Sequence, residues 1–360
     1  MHQRHEFLKY SIKVRVLQAI AKVSYYIGLS FLLRIYNEKK NRRVIILMYH
    51  RIFDNKNSNI DIDTDYLITP EEFEKQIKYI SEKYNVISFD ELIEHYQNKS
   101  KLPKNSIIIT FDDGYKDCYT IAYPILQKYN VSAMFFIATD YINSDDIYWW
   151  DKVAYALNNT NITSFSVPEF GAYNLENPVK RLEAKRDICK KLRQINEEDK
   201  NKIIHEIEQI LKIKFDDVNQ DLFLNWDEIN DMSQNGMEFG AHTCSHAILT
   251  RVPNEHAKYE IRNSKSVIEA NINKKINVFS YPSGTINDFN DNIKEYVEYS
   301  GFRVAVSTVY GINKLNDETD LYSLKRLDII ESVDIYLFML ELTGILDSVY
   351  LIRNKLKKRF

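Results

Sequence analysis

A run of three isoleucines, Ile107-Ile108-Ile109, leads directly into Thr110-Phe111-Asp112-Asp113-Gly114. A β-branched run of this kind is typical of a strand buried on both faces, and such strands belong to parallel sheets flanked by helices. Two adjacent carboxylates therefore stand where a core strand ends. Burying two unpaired anions is costly, so a metal, a cation or a shared proton has to offset their repulsion. The alternative is a plain turn, because Asp-Gly is common in turns and Asp often caps the next helix.

The same rhythm of apolar runs and helical stretches continues along the chain. Val44 to Met48 predicts a first core strand ending in Tyr49-His50, Thr69-Pro70-Glu71-Glu72 is typical of a helix start, and Asp90 is expected to cap a helix that begins at Glu91. Further strands are predicted at 86–89, 107–111, 133–137, 237–240, 277–281, 302–306 and 325–330. Further helices are predicted at 118–129, 226–235, 255–271, 291–299 and 335–349.

Strands and helices that alternate at this spacing predict an α/β fold. About seven strands fit a distorted TIM-like (β/α) barrel, with a doubly wound open sheet as the alternative. The alternation stops after about residue 142, where Trp149-Trp150-Asp151 precedes a charged helical stretch from Lys180 to Lys212 without a strong buried strand. We therefore expect a basic amphipathic leader at 1–42, a barrel formed by 43–141 and 224–332, a helical subdomain inserted at 142–223, and a C-terminal amphipathic helix with a basic tail at 333–360.

Charge is distributed unevenly along the chain. The net charge is −3, yet residues 1–43 hold ten Lys and Arg against two acids, and residues 353–360 hold five against none. Basic ends on an acidic body favour anionic lipid over nucleic acid, which needs a basic face on the folded domain. We therefore expect no nucleic-acid partner and a peripheral membrane contact through the basic ends. Two solvated charged tails are the alternative.

The leader has too few consecutive apolar residues to form a conventional membrane-spanning helix. Only Val23 to Leu33 is free of charge, whereas a span needs roughly 20 apolar residues. Leu17, Ile20, Ala21, Tyr25 and Leu29 recur at helical spacing, which predicts an interfacial helix. A signal anchor is the alternative.

Several common chemistries have no support in the sequence. The three cysteines, Cys118, Cys189 and Cys244, show no Cys-x-x-Cys spacing, so neither a disulfide framework nor a cysteine-rich zinc site is indicated. The chain contains no Gly-x-Gly-x-x-Gly motif, no Walker loop and no Gly-x-Ser-x-Gly motif. Nucleotide cofactors and a serine nucleophile are therefore not expected.

Polar side chains recur where predicted strands end, which in such a barrel is where chemistry collects. Two histidines four residues apart on a helical turn share one face, so His242 and His246 can reach one cation. One added carboxylate gives a two-His, one-carboxylate site with positions left for water and substrate. Each histidine taken alone is more simply a hydrogen-bonded polar residue. The strand-end groups are His50, Asp112, Asp113, His242, His246 and Tyr281-Pro282-Ser283-Gly284.

These residues resemble the polysaccharide deacetylases, carbohydrate esterase family 4, also called the NodB homology domain. Thr110 to Gly114 and His242 to His246 look like the first two motifs, and Tyr281-Pro282-Ser283-Gly284 resembles the third in a Tyr-Pro-x-Gly form. Softer resemblances occur around Leu47-Met48-Tyr49-His50 and Ala133 to Ile137. Together they cover about residues 43–140 and 224–330.

The resemblance implies that Asp112 is the general base and that Asp113, His242 and His246 bind a divalent metal. Zinc is the favoured ion, with Co, Ni or Fe as alternatives. Such a metal neutralises Asp113 and polarises the amide carbonyl, while Asp112 stays basic and takes a proton from the attacking water. A backbone N–H near Tyr281, in the segment with Pro282 and Gly284, is expected to help hold the oxyanion. Trp149 and Trp150 are candidates for stacking on sugar rings or, equally, for anchoring the insertion.

The chain departs from the family pattern in two places. Many members have an arginine in the third motif that orients the base, and a Leu-x-x-His motif that protonates the leaving amine. Here the third motif reads Phe279-Ser280-Tyr281, and no histidine follows His256. Arg326, near the end of the last predicted strand, is a candidate for the missing cation, and His50 for the acid. For each of these two residues, the alternative role is a structural ion pair or a supporting hydrogen bond.

The resulting functional prediction is a metal-dependent hydrolase that removes an N-acyl group, most simply acetyl, from an N-acetylated glycan or lipid-linked saccharide in bacterial surface-polysaccharide or glycolipid synthesis. A catalytically weak glycan-binding protein that keeps the metal site is the alternative. A metal-dependent isomerase or another hydrolase on the same barrel is disfavoured by the paired aspartates beside His-x-x-x-His. An interfacial leader places the enzyme on the cytoplasmic face of the inner membrane or in the cytoplasm, whereas a signal anchor would place it outside.

Overall fold

The computed structural model describes residues 15–40, 43–53, 67–215, 221–316, 318–329 and 334–346, with the backbone alone at 37–40 and at 67. The expectations for the basic stretches at 1–14 and 353–360, and for Val349 in the closing helix, lie outside these residues. No single described helix is long and apolar enough to cross a membrane. The pair Arg15–Tyr26 and Leu29–Tyr36 passes that test only together, with a bend of 77° between them.

The strands form one large sheet and two small ones. Their bounds are β1 (Arg43–Tyr49), β2 (Arg51–Ile52), β3 (Leu67–Ile68), β4 (Asn85–Val86), β5 (Ser106–Phe111), β6 (Met134–Ile137), β7 (Ser164–Val167), β8 (Gly171–Asn174), β9 (Glu238–Ala241), β10 (Val278–Ser280), β11 (Val304–Tyr310), β12 (Asn313–Lys314) and β13 (Leu324–Asp328). Seven of them, in the order β1-β5-β6-β9-β10-β11-β13, pair in parallel, and β13 returns to β1, which closes the barrel. The predicted distorted TIM-like barrel is confirmed, and the open sheet is excluded.

Helices surround the barrel and follow most of its strands. Their bounds are α1 (Arg15–Tyr26), α2 (Leu29–Lys40), α3 (Pro70–Lys83), α4 (Phe89–Asn98), α5 (Tyr123–Lys128), α6 (Trp149–Asn159), α7 (Pro178–Leu192), α8 (Glu197–Leu211), α9 (Trp226–Gln234), α10 (Asn254–Ile272), α11 (Asp291–Tyr299) and α12 (Ile335–Glu341), with a π-helical turn at Cys118–Ala122 before α5. The cap of α3 at Thr69 is as predicted.

The start of α4 corrects one prediction. Ser88, and not Asp90, caps this helix: its hydroxyl accepts from the Glu91 N–H, and the Glu91 carboxylate accepts from the Ser88 N–H. This reciprocal box satisfies two backbone donors at once, which a lone aspartate two residues later does not do. Phe89, predicted to end a strand, is therefore the first helical residue and is fully buried.

Alternate residues of the barrel strands serve two cores. On β1, Ile45 and Leu47 pack with helical residues such as Phe73, whereas Val44 and Ile46 belong to a second cluster. That second cluster draws on six of the seven barrel strands, so it fills the barrel interior. The two-residue period of a strand explains how one apolar run supplies both cores.

Residues between β6 and α9 build a further core of their own. Helices α6, α7 and α8 pack with the β7–β8 hairpin around residues such as Leu157, Val167 and Ile207. The hairpin was not predicted, because its strands are only four residues long and β8 is mostly exposed. The charged helical stretch predicted from Lys180 to Lys212 consists of two helices, α7 and α8. The boundaries assigned to the inserted subdomain stay a prediction.

Candidate active site

One pocket lies at the carboxyl ends of the barrel strands and has a volume of about 230 Å³. Its wall contains most of the polar groups that the sequence placed at strand ends. The insertion also contributes to it, through α6 and the end of α7. The lining residues include Met48, His50, Arg51, Asp112, Asp113, Tyr115, Trp149, Trp150, Arg193, His242, His246, Ser283, Thr285, Asp288, Thr308 and Asp328.

The Asp112 carboxylate is bound by Arg326 from β13. Nη1 and Nη2 of Arg326 each donate to a different oxygen of Asp112 at 2.7 Å, and the Ser280 hydroxyl donates to Asp112 Oδ2 at 3.2 Å. Both charged side chains are almost fully buried. Burial by itself would raise the pKa of the Asp112 carboxyl, but the Arg326 guanidinium outweighs it and holds that pKa below its ordinary value. Asp112 is therefore an anion that can accept a proton.

Asp113, His242 and His246 converge on one point. Nε2 of His242 and of His246 lie 3.5 and 3.4 Å from Asp113 Oδ1, and all three side chains are buried. The His242 ring nitrogen Nδ1 lies 2.8 Å from the Ser280 carbonyl oxygen and donates to it, so Nε2 is the nitrogen that faces Asp113. Burial lowers the pKa of His246, which favours its neutral imidazole. Two imidazole nitrogens and one carboxylate form a donor set that fits a divalent transition metal.

The turn that carries the two histidines is not helical, which corrects the predicted helical turn. Thr243 and His246 have φ values of +65° and +59°, in the left-handed region that β-branched and bulky residues rarely adopt. His242 follows β9 directly, and its N–H donates to the Ile137 carbonyl of β6. The histidines meet because the chain reverses between them, not because they share a helix face.

Glu260 of α10 holds this turn in place. Its Oε2 accepts the N–H groups of Cys244 and Ser245 at 2.7 and 3.0 Å, and its Oε1 accepts the Ser245 hydroxyl at 2.7 Å. The Glu260 side chain is 2% exposed, so these bonds form in a medium of low dielectric constant, where charge-assisted bonds are strong. The Cys244 thiol packs beside α10 and is outside the possible ligand cluster.

The turn after β5 presents Asp113 with the help of a required glycine. Asp113 and Gly114 have φ values of +78° and +73°, and a Cβ on Gly114 would lie 3.1 Å from Ile137 Cγ2. The Asp113 carbonyl accepts the Tyr148 hydroxyl at 2.7 Å. Because Tyr148 directly precedes α6, the insertion braces the aspartate turn.

His50 lies at the pocket wall beside the last strand. β1 pairs with β13 through Met48 and Asp328, so the residue after Tyr49 is brought to the Asp328 carboxylate. Burial raises the pKa of the Asp328 carboxyl, and the nearby charge of His50 partly opposes this shift. The predicted adjacency of His50 to the last strand is observed, while its role as an acid stays a proposal.

Both tryptophans of the insertion reach the pocket, but in different ways. Trp149 is 8% exposed and belongs to the insertion core. Trp150 is half-buried, its indole N–H donates to the Tyr115 hydroxyl at 2.9 Å, and its ring centroid lies 4.6 Å from that of His246. The Tyr115 hydroxyl in turn donates to Asp151 at 2.6 Å. Trp150 is therefore a fixed aromatic wall next to the candidate metal ligands.

The third motif forms a closely packed loop beside the pocket. The Tyr281 N–H donates to the Val306 carbonyl, its hydroxyl donates to the Tyr322 carbonyl, and its ring is buried against Phe289. Pro282 has no N–H, and the Gly284 N–H donates to the Pro282 carbonyl. Of this segment it is Ser283 that lines the pocket. The N–H groups of Tyr281 and Gly284 therefore bond within the protein, and the role of a backbone N–H near Tyr281 in holding the oxyanion stays a prediction.

Sequence reasoning missed four residues that support the site. Ser280 contacts both Asp112 and Arg326, and it directly precedes the third motif. Glu260 interrupts the apolar stripe of α10, between Ala257 and Ile261; an acid inside such a stripe is a detectable signal of a buried carboxylate. Tyr148 and Asp328 show no comparable signal, because their contacts are with residues distant in sequence.

Comparisons with known proteins point to one family. A sequence profile of the family described as polysaccharide deacetylase matches residues 99–305. The poly-beta-1,6-N-acetyl-D-glucosamine N-deacetylase of Staphylococcus aureus is 32% identical over 125 residues, which are 32% of this chain and 42% of the relative. The Staphylococcus epidermidis protein of the same name is 27% identical over 183 residues, 49% of this chain and 61% of the relative. The chain therefore spans less than two thirds of the length of either relative.

A solved structure shows the same fold. The Streptococcus pyogenes deacetylase in complex with acetate has a TM-score of 0.54 to this chain at 20% identity, over 84% of this chain and 97% of the other. At this identity the likeness concerns the arrangement of strands and helices.

Proposed function

The chain belongs to the polysaccharide deacetylase family, carbohydrate esterase family 4, and on that premise we propose that it hydrolyses the N-acetyl group of a saccharide. One observation carries the proposal: a buried carboxylate held by an arginine, Asp112, lies directly beside the Asp113, His242 and His246 cluster in one pocket. This pairs a base with a candidate metal centre, a combination that can hydrolyse an amide.

We propose that Asp113, His242 and His246 hold the divalent metal, with zinc favoured by two nitrogen donors and one oxygen donor, and Co, Ni or Fe as alternatives. A metal bound there supplies Lewis acidity and lowers the pKa of water. Asp112 takes the proton of the water that attacks the amide carbon. Arg326 and Ser280 keep the Asp112 carboxylate oriented, since they occupy both of its oxygens from the side of β13 and β10.

His50 is the proposed acid for the leaving amine. It lines the same pocket as Asp112 and Asp113, and the Asp328 carboxylate beside it can orient its ring. When the C–N bond breaks, the amine leaves with a proton from His50, and the products are acetate and an amino sugar. Trp150 is the proposed stacking surface for a sugar ring, because it lines the pocket and is held in place by its stack on Tyr148 and its hydrogen bond to Tyr115.

The proposed substrate is an N-acetylated glycan. Support comes from the relatives named as deacetylases of poly-beta-1,6-N-acetyl-D-glucosamine, which are similar over part of this chain. A lipid-linked saccharide at the cytoplasmic face of the inner membrane is the finer proposal, and the apolar and basic character of residues 15–36 supports it. Mapping the N-terminus of the mature protein tests the location, because a signal anchor on the outer side is the alternative.

Acetate release tests the activity. We expect chelated protein to release no acetate from β-1,6-linked N-acetylglucosamine oligomers, and Zn²⁺ or Co²⁺ to restore the release. Asp113→Ala should abolish both metal binding and release. If metal and sugar bind but no acetate forms from any N-acetylated glycan, the chain is a glycan-binding protein that retains the metal site.

A further inference from the structure

The two N-terminal helices carry an apolar surface that faces outward. Ten of the fourteen large apolar side chains that are exposed in the described part of the chain lie between Val16 and Tyr36. The buried positions of the same helices hold small residues, namely Ala21, Ser24 and Ser30. A helix that packs on a domain in water normally turns its large apolar side chains toward the core. The reversed arrangement indicates an apolar medium outside α1 and α2.

The charges and aromatic rings around this surface suit the headgroup layer of a membrane. Residues 15–36 contain Arg15, Lys22 and Arg34 and no Asp or Glu. Tyr25 stacks edge-on against Tyr336 of α12 at 5.3 Å between ring centroids, and the Lys22 ammonium lies 5.7 Å from the Tyr336 ring centroid. Tyrosines and basic side chains beside an apolar face are typical of proteins that lie in the membrane interface.

A cleft of about 650 Å³ opens between these helices, α3 and α12. Phe31 and Met339 give it apolar walls, and four cationic side chains line it. Lys75 and Lys83 lie near the carboxylates of Glu72 and Glu82. In the described part of the chain neither Arg34 nor Lys78 forms an ion pair with a carboxylate. The acid that lines the cleft, Glu82, lies near Lys83.

The cleft also holds a polar group with no protein partner. The Ser30 hydroxyl is buried and has no hydrogen-bond partner among the described residues. A lipid phosphate in the cleft would pair with the guanidinium and the ammonium, while the apolar part of the lipid lay along Phe31.

We propose that α1, α2 and this cleft bind an anionic phospholipid bilayer, with the outward apolar side chains in the interfacial layer and a lipid phosphate beside Arg34 and Lys78. The proposal does not depend on the deacetylase reaction, because no residue of the cleft lines the catalytic pocket. A membrane-bound orientation would bring the barrel to saccharides that are attached to lipid.

Vesicle flotation of the full-length chain tests the proposal. We expect binding to vesicles of equal parts phosphatidylglycerol and phosphatidylcholine, and much weaker binding to phosphatidylcholine alone. Arg34→Glu with Lys78→Glu should weaken binding to the anionic vesicles at least about tenfold, because each basic side chain near such a surface adds several-fold to the affinity. A separate variant, Phe31→Asp with Leu32→Asp, should also weaken binding to the anionic vesicles, because it removes apolar contact with the membrane.

Two pairs of matched variants serve as controls. Lys101→Glu with Lys275→Glu makes the same change of net charge elsewhere on the surface, and Ile286→Asp with Tyr299→Asp removes exposed apolar residues elsewhere. These variants should float like the unchanged chain, and all variants should keep its melting temperature. Equal binding to both vesicle types, or equal weakening by Lys101→Glu with Lys275→Glu, would overturn the proposal. So would a dimer in solution that Phe31→Asp with Leu32→Asp converts to monomer, since a second copy would then cover this surface.

Discussion

Arg326 and Asp112 form two parallel hydrogen bonds of 2.7 Å across 214 positions of sequence. Arg326 also donates from Nε to the Ser307 carbonyl at 2.9 Å, so the guanidinium is fixed before any substrate enters. A bidentate pair of this geometry sets the direction as well as the charge of the carboxylate. The remaining freedom of Asp112 is therefore small.

Replacing Arg326 should separate catalysis from metal binding. We expect Arg326→Met to lower kcat for acetate release by about 100-fold or more, the scale of a misplaced general base, and Arg326→Lys to recover part of it. Metal affinity, measured by titration of the chelated protein, should stay nearly unchanged because Arg326 contacts none of the candidate ligands. The loss of a buried partner should also destabilise the fold by about 3 kcal/mol or more.

The matched control is Arg303→Met, a half-buried arginine distant from the pocket, which should keep kcat. If Arg326→Met keeps the kcat of the unchanged chain per folded molecule and loses only stability, Arg326 forms a structural ion pair and does not position the base.

Replacing Glu260 should weaken the candidate metal centre from a distance. Glu260→Gln keeps the volume of the side chain and one acceptor oxygen, but it removes the negative charge that strengthens the bonds from the Cys244 and Ser245 N–H groups. We expect metal affinity to fall by about 10-fold to 100-fold, as when the supports of metal ligands are removed. The readouts are a metal titration and the visible absorption of the Co²⁺ form, which reports ligand geometry. Glu255→Gln, exposed on the same helix, should leave both unchanged, and equal affinities for the two variants would remove the positioning role of Glu260.

Replacing His50 should affect turnover alone. We expect His50→Ala to lower kcat by about 100-fold or more while the metal content of the protein stays the same, because His50 is outside the Asp113, His242 and His246 cluster. His205→Ala, on an exposed face of the insertion, is the control. Full turnover by His50→Ala would mean that another group protonates the amine, and it would exclude His50 as the acid.

Glu238 should make the fold less stable above neutral pH. Burial and the nearby carboxylates of Asp90 and Glu91 raise the pKa of Glu238 to about 7. The folded chain then binds this proton more tightly than the unfolded chain, whose value is near 4.5. This contribution to the free energy of unfolding is fully present below pH 4.5 and is lost as the pH rises through about 7. The total loss is up to about 3 kcal/mol.

Denaturant unfolding at pH 5 and pH 8 measures this effect. Glu238→Gln should be more stable than the unchanged chain at pH 8 by about 2 kcal/mol and nearly equal to it at pH 5. Glu295→Gln, which is exposed, should show no such difference. An equal stability of Glu238→Gln and the unchanged chain at pH 8 would mean that folding does not raise the pKa of Glu238.

The local features of the sequence predicted the barrel and the ends of its strands. Continuous apolar runs predicted β1, β5 and β6 to within one or two residues, because a strand that is buried on both faces has apolar residues at successive positions. The aspartate pair and the histidine pair were located for the same reason, since each lies directly after such a run. The sequence did not predict the conformation of the histidine turn. Thr243 and His246 have left-handed backbone, and the turn is held by Glu260, which lies in α10.

The sequence by itself determined the chemical groups and the edge of the barrel at which they lie. Only the tertiary structure decided their partners. Closure of β13 onto β1 is what brings Arg326 to Asp112 and Asp328 beside His50, and the insertion is what places Trp150 against His246. The tertiary structure also pairs the Tyr281 N–H with the Val306 carbonyl. A hydrogen bond is settled by which groups meet after folding, and residues hundreds of positions apart leave no shared local pattern from which that meeting could be read.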